Sequence, residues 1–381
     1  MAYVIRPSER ASFKRCRRQW DLSAHTRQNL EAADPPPREL DLGEAIRDAL
    51  AVYYFPGMWE WNRSIVLPLV RSAFESSIAR QLGGRADARA QEERALGLAL
   101  LERYFVWAPS VDRFWPVRIE TDFAVHIPNP RTPGHDLVCD AGEVRYEGRV
   151  CMLVVDEADA YWIVDHRVAR NGWTDVDQLL LDEPAVSACW AWELFYLGMR
   201  IAGTITNELR ADMEEEIAEH GAERALETDL PRASGPGHRR MYAQPGTQPA
   251  PGVAQETDGP FRRTRIARSR AELDRAGELL AWEALDMVDP HVRIYPNPQP
   301  IHCRACAFRD PCLALSAGED PRPLLDAKFR TRPPVQIEEG RLGGVTWGMN
   351  RGAMPMDSRA RERQRLPQRK HEHRPGGDYD A

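Results

Sequence analysis

The sequence predicts an α/β fold, a mixed β-sheet core flanked by helices, with the N- and C-terminal segments joined at a four-cysteine cluster. Three observations predict it. Beyond Pro116, Val117–Ile127 alternates and is rich in β-branched and aromatic residues, which is the pattern of a half-buried strand. A helical run over 175–200 then separates earlier strand-like segments from another alternating stretch, Ile201–Leu209, an order that suggests an α/β core on a mixed sheet. Cysteines stand at both ends, Cys16 near the start and Cys303, Cys306 and Cys312 near residue 310.

The elements follow in order. Ser8 caps a predicted helix running to about Gln28, with Ser12, Phe13, Cys16 and Trp20 at helical spacing and Arg15, Arg17 and Arg18 between them. Leu42–Leu82 reads as mostly helical, interrupted at Pro56-Gly57 and Pro68, and Asp87–Trp107 as the next helix. Asp136–Val144 carries hairpin signals. Gly148–Val155 and Ala160–Val164 are short apolar runs joined by a polar turn at Asp156–Asp159. The 175–200 helix is expected to break at Pro184. Ser269-Arg-Ala-Glu272 is a capping box opening a helix to about Val288.

These elements group into five segments. Residues 1–110 form a helical region and 111–228 the α/β core. Residues 229–262, rich in Pro, Gly, Gln and Arg, read as a disordered linker; 263–332 hold a helix and three cysteines; 333–381 form a disordered basic tail.

Composition narrows the function. The 381 residues carry 51 basic and 58 acidic side chains, a net charge of −7, which excludes a globally basic nucleic-acid binder and leaves only local patches. Two such runs are Arg262, Arg263, Arg265, Arg268 and Arg270, at the start of the capped helix, and Arg15, Arg17 and Arg18. Brought together they line one groove for a phosphate backbone; taken singly each is a solvated helix face. Trp59, Trp61, Trp190 and Trp192 fit a buried aromatic core better than base stacking. No apolar run reaches membrane-span length and the first residues have no signal-peptide layout, so a soluble, cytoplasmic protein without a membrane partner is expected. In that reducing compartment seven cysteines indicate thiols or a metal site rather than disulfides. Only Lys14, Lys328 and Lys370 are lysines, so chemistry needing a neutral amine has three candidates.

The cysteine spacing is the strongest chemical signal. C-x2-C-x5-C at Cys303, Cys306 and Cys312 aims two thiolates at one centre from a tight turn and closes with a third. The fourth ligand is sought among Cys16, Cys139, Cys151, Cys189 and His302. Cys16 is preferred because it would staple segments distant in sequence and remove chain entropy from the unfolded state. Four thiols suit zinc or iron–sulfur equally.

The order of motifs resembles RecB-type nucleases of the PD-(D/E)XK superfamily, in particular the iron–sulfur branch with AddB-like subunits and CRISPR-associated RecB-like exonucleases, over about residues 5 to 320. The resemblance implies a restriction-endonuclease-like core, a 4Fe-4S cluster on Cys16, Cys303, Cys306 and Cys312 with zinc as the alternative, and DNA, single-stranded or duplex ends, as partner. It also implies a protein partner in recombination, repair or defence. The catalytic motifs match in position and depart in identity. Gly43–Arg47 has arginine where the family's G-x3-H has histidine. Gly148–Cys151 has cysteine where G-x-x-D has the metal ligand. Asp165-His166-Arg167 keeps the acid of D/E-x-K and replaces its lysine, and the segment from Asp182 to Ala188 lacks the glutamine and tyrosine of Q-x3-Y unless Gln178 substitutes.

These departures bear on the chemistry. The family reaction is phosphodiester hydrolysis by Mg²⁺ or Mn²⁺ held on carboxylates. A thiolate at 151 is a poor Mg²⁺ ligand, and arginine at 167 is no base. The expected site is therefore degenerate, with Asp165, Glu120 and Arg167 as its catalytic groups and Asp165 and Glu120, helped by Asp156, as weak metal ligands. An active Mg/Mn-dependent exonuclease and a structural metal-cluster protein without DNA contact are the alternatives. Asp165 and Arg167 also read as a phosphate-binding pair or as a strand-surface ion pair.

Overall fold

The structure, a computed structural model, describes residues 2–35, 39–83, 85, 88–212 and 252–333. Near the N-terminus β1 (Tyr3–Ile5) leads into α1 (Pro7–Arg15) and α2 (Arg17–Ser23). The single helix expected from Ser8 breaks at Cys16, whose extended backbone ends α1 and starts α2; Pro7 opens α1, so Ser8 lies inside its first turn. After β2 (Leu30–Ala32) come three long helices, α3 (Leu42–Tyr53), α4 (Arg63–Leu82) and α5 (Ala88–Val111). The break at Pro56-Gly57 is present, whereas Pro68 is accommodated inside α4.

Strands then dominate. β3 (Phe114–His126), β4 (Val138–Cys139), β5 (Gly142–Asp156) and β6 (Tyr161–Ala169) form a meander around β5. α6 (Val176–Leu180) and α7 (Glu183–Phe195) carry the chain to β7 (Ile201–Arg210), which pairs parallel to β6. Pro184 lies in the first turn of α7, where its missing N–H is harmless, so the break falls just before it. β8 (Val253–Asp258) and β9 (Phe261–Ala267) complete the main sheet. The linker expected over 229–262 is thus corrected: its last part is β8 and the start of β9, while 213–251 lie outside the described residues, as does the tail from 334. The capping box opens α8 (Arg270–Val288) as expected, and α9 (Pro300–Cys303), α10 (Arg309–Ala317), α11 (Arg322–Lys328) and β10 (Phe329–Thr331) follow.

Among the described residues the main sheet has eight strands and is mixed. Its order is β1-β5-β6-β7-β9-β8, with β3 and β4 also on β5. One face carries α3, α4 and α5 over a core of Leu50, Phe74, Tyr104, Met152 and Val164; the other carries α1, α7 and α8 over Phe13, Tyr146, Trp192 and Leu280. Helices on both faces of one sheet bury apolar strand residues in both directions. Trp190 and Trp192 lie in the second core, as the composition led us to expect; Trp61 is half exposed.

Segments 22–32 and 308–331 meet in a second, smaller sheet. β2 and β10 pair antiparallel, Phe308 stacks on Phe329 with ring centroids 4.7 Å apart, and Leu22 joins them in a small core.

Candidate functional site

The motif positions gather at the middle of the sheet on three adjacent strands. On β3, Glu120 falls between the pairs Ile119–Met152 and Thr121–Val150, opposite Cys151 of β5. Glu120 has a left-handed backbone, φ 42°, which is uncommon in a strand and marks a local irregularity. Both strands change faces there. Val144, Tyr146 and Val150 of β5 face the α7–α8 side, yet Met152 and Val154 face the α3–α5 side; on β3, Ile119 faces the α3–α5 side, whereas Phe123 and Val125 face the other. The slip aims Glu120 and Cys151 at each other, and their side chains hydrogen-bond.

This contact sets the protonation of the pair. Burial, first, and then the charges of Glu120 and Asp165 push the Cys151 thiol well above its usual range, although the His166 N–H on the sulfur pulls the other way. Burial also raises the Glu120 carboxyl, opposed by Arg149, by the bond to Cys151 and by Arg47, while Asp48 adds to the rise. At neutral pH Cys151 is therefore a thiol that donates to Glu120, not a thiolate. Arg47 of α3 is near enough to act on both Glu120 and His166, and is also 3.9 Å from Asp41.

Asp165 is close enough to act on Cys151 and also accepts from Arg167. Arg167 donates from Nε to Asp165 at 2.7 Å and from Nη2 to Asp182, the N-cap of α7, whose other oxygen caps Ala185 N. A guanidinium between two carboxylates is held firmly protonated, so Arg167 is a fixed cation. Asp182 was not read from the sequence as a site residue; an Asp two residues before a helix-opening Pro signals an N-cap, but not that it anchors Arg167.

Other expected groups lie elsewhere. Asp156 ends β5, where Oδ1 accepts from Ala158 N and Ala160 N at 2.9 Å and Oδ2 binds Trp162 Nε1 and Arg265. It closes the β5–β6 hairpin and does not join Glu120. Lys14 is paired with Glu183 and Glu283, and Lys328 with Asp310.

The basic run from Arg262 is a correction. Arg262, Arg263 and Arg265 lie on β9, ahead of the helix, and are bound to Glu208, Asp112 and Asp156; Arg268 donates to the carbonyls of Leu179 and Leu180; Arg270 is paired with Glu193 and Asp274. A groove of free cations does not form from them, because each is paired with a carboxylate or backbone carbonyl. Arg263 is buried. With Asp112, Tyr54, Tyr104, Asn207 and His166 it forms a buried polar network on the α3–α5 side, and Arg263 and Asp112 are each 6% exposed.

Burial raises the Cys306 thiol first; the N–H of Phe308 opposes this, and Cys16, Cys312 and Cys303 are each close enough to add to the rise. Cys139 sits on β4. Cys189 is fully buried in α7, its thiol pushed up to about 12 chiefly by burial. Among the described residues no three His, Cys, Asp or Glu side chains stand in metal-holding geometry. The junction itself rests on β2–β10 pairing, the Phe308–Phe329 stack and hydrogen bonds such as Arg332 Nη1 to Ser23 O at 2.8 Å. No helix among the described residues is long and apolar enough to cross a membrane.

No protein-family model and no curated protein matches the chain. One solved structure, described as "Crystal structure of SSO0001", is similar at 10% identity with a TM-score of 0.26, covering 74% of this chain and 88% of that one.

Proposed function

We propose that the protein is a DNA-interacting member of the RecB-like nuclease group whose phosphodiesterase site is degraded and inactive, with a restriction-endonuclease-like core. The observation that carries this reading is the convergence of Glu120, Cys151 and Asp165 from β3, β5 and β6, with Arg47 of α3 near Glu120. Cys151, Asp165 and Arg47 came from motif order, and Glu120 was named only as a carboxylate that could help Asp165. Inactivity follows from the donor chemistry. Mg²⁺ or Mn²⁺ needs ionised oxygen ligands, whereas this site offers a protonated thiol, a carboxylate accepting from that thiol, and an aspartate engaged by Arg167. The groups do not fit a hydrolytic metal, so what remains is a protein that binds DNA without cutting it.

Cys16, Cys303, Cys306 and Cys312 are read as ligands of a 4Fe-4S cluster, with zinc as the alternative. The C-x2-C-x5-C spacing and the donor set of four thiols support this. Such a centre would hold the two ends of the chain together, beyond what β2–β10 pairing does.

Incubation of the purified chain with single-stranded and duplex DNA plus Mn²⁺ tests the reading. The unaltered protein is expected to bind DNA in a salt-dependent way without degrading it. Cys151→Asp with Arg167→Lys is expected to gain cleavage. Degradation by the unaltered protein that disappears in Asp165→Ala would overturn the degraded-site reading in favour of an exonuclease.

A further inference from the structure

A groove of about 550 Å³ opens where α1 and α2 face the later part of the chain. The two helices give it Ser12, Arg15 and Trp20, β2 gives Leu30, and the far segments give Phe308 and Arg332. The volume suits a small molecule, whose sites span roughly 300–1,000 Å³. Glu120, Cys151 and Asp165 are not among its lining residues.

Its walls have donors to spare and few free acceptors. Ser12 Oγ and Trp20 Nε1 are buried and have no hydrogen-bond partner among the described residues. Leaving a buried donor unsatisfied is costly, and a partner in the groove removes that cost. The carboxylates of the groove are engaged elsewhere. Glu9 accepts from the backbone N–H groups of Arg6 and His25, at 3.3 and 3.0 Å, and Glu31 pairs with Arg330 at 2.9 Å and Arg332 at 3.6 Å.

The cations of the groove divide in two. Arg6 is paired with Glu147, and Arg332 is held by Glu31 and by Ser23 O. Arg15 is exposed, and its Nε donates to Gln19 Oε1 at 3.3 Å. No carboxylate lies within ion-pair reach of Arg15 among the described residues. The groove therefore joins an uncompensated guanidinium, two unpartnered buried groups and an apolar wall of Ala24, Leu30 and Phe308.

We propose that this groove binds a small organic anion, a carboxylate or a phosphate monoester on an apolar body. Arg15 takes the oxyanion. Ser12 Oγ and Trp20 Nε1 donate to the ligand or to a water that it holds, and Ala24, Leu30 and Phe308 cover the apolar body. The walls come from segments about 300 residues apart, so the ligand binds only while β2 and β10 are paired and stabilises that pairing.

The test titrates the full chain by calorimetry with phenyl phosphate, benzoate, inorganic phosphate and benzyl alcohol. Four forms are used: unaltered, Arg15→Gln, Trp20→Phe and Arg275→Gln, with circular dichroism checking the fold. Arg275, paired with Glu278 on α8, is a charge control outside the groove. Phenyl phosphate or benzoate is expected to bind at least about tenfold more tightly than inorganic phosphate or benzyl alcohol, and the tighter of the two tells a phosphate ester from a carboxylate. Arg15→Gln should weaken that binding about tenfold, one charge-assisted hydrogen bond, and Trp20→Phe about threefold, one neutral bond. Arg275→Gln should leave it unchanged. The bound anion should also slow amide exchange at Leu30–Ala32. Arg15 is exposed, so its variant keeps the test decisive if Trp20→Phe fails to fold. Absence of binding by both ring anions at about 10 mM overturns the proposal. Unchanged affinity in Arg15→Gln overturns it too, as does equal weakening in Arg275→Gln, which would mean diffuse charge attraction. Benzyl alcohol or inorganic phosphate binding as tightly as the ring anions would show that the apolar wall or the cation acts alone, and also overturns it.

Discussion

The middle of the sheet and the junction of the chain ends are built on opposite principles. At the middle, charged and polar side chains are sealed between helices and strands: Arg263 on Asp112, and Asn207 on His166 and Tyr104. At the junction three buried apolar residues, a short two-stranded sheet and hydrogen bonds such as Arg18 to Cys312 O join segments about 300 residues apart. Buried ion pairs make an arrangement unique, because removing one member leaves an uncompensated charge. A small apolar patch closes a long loop but has little area with which to resist opening. The first region is rigid by construction. The second gains most from an added ligand.

Breaking the central network has the largest expected effect. Arg263→Met leaves Asp112 buried without its cation, beside Tyr54 and Tyr104. A loss of about 3–5 kcal/mol in urea unfolding is expected, and a loss under 1 kcal/mol would show that the network is not the anchor of the sheet.

The next effect sharpens the comparison through pH. His166 is fully buried and its imidazole is lowered to about 3, by burial first and then by Arg263 and Arg47. The unfolded chain binds this proton near the ordinary value of 6.5. Stability from the neutral ring is therefore present above that value and is lost as pH falls from there toward 3. Between pH 7 and pH 5 the loss is about 2 kcal/mol. His166→Asn should remove that part of the acid-side slope, and parallel pH profiles of the two proteins would show that His166 does not set it.

Phe308→Ala probes the junction and should be the mildest for the whole fold. Removing the stack on Phe329 is expected to speed amide exchange at Leu30–Ala32, paired with β10, while the urea midpoint of the main sheet moves by less than about 1 kcal/mol equivalent. A collapse of the main transition would mean that the ends and the sheet unfold as one unit.

Much of the fold was legible in the sequence because it rests on local pattern. β3, β5, β6 and β7 follow the alternating or apolar runs, and the Ser269–Glu272 box opens α8. β8 and β9 were missed because their apolar residues are few: in β9, Phe261 and Ile266 bracket Arg262, Arg263 and Arg265. Arginines in a strand read as a solvated surface until Glu208, Asp112 and Asp156 are seen across from them. At the candidate site the motif order placed Cys151, Asp165 and Arg167 and named Glu120 as a helping carboxylate, but Asp182 and the Glu120–Cys151 bond were not legible.

By itself the sequence determined the order and type of the main elements, the spacing of the cysteines, and the substitutions at 47, 151 and 167, since these depend on residue identity and short-range period. Only the tertiary structure decided where each charge is spent. Whether Arg167 faces a phosphate or Asp182, and whether Cys151 is a thiol or a thiolate, depends on burial and on partners far away in the chain. Coulomb and desolvation energies depend on distance and dielectric in space, and neither is written in the linear spacing of residues.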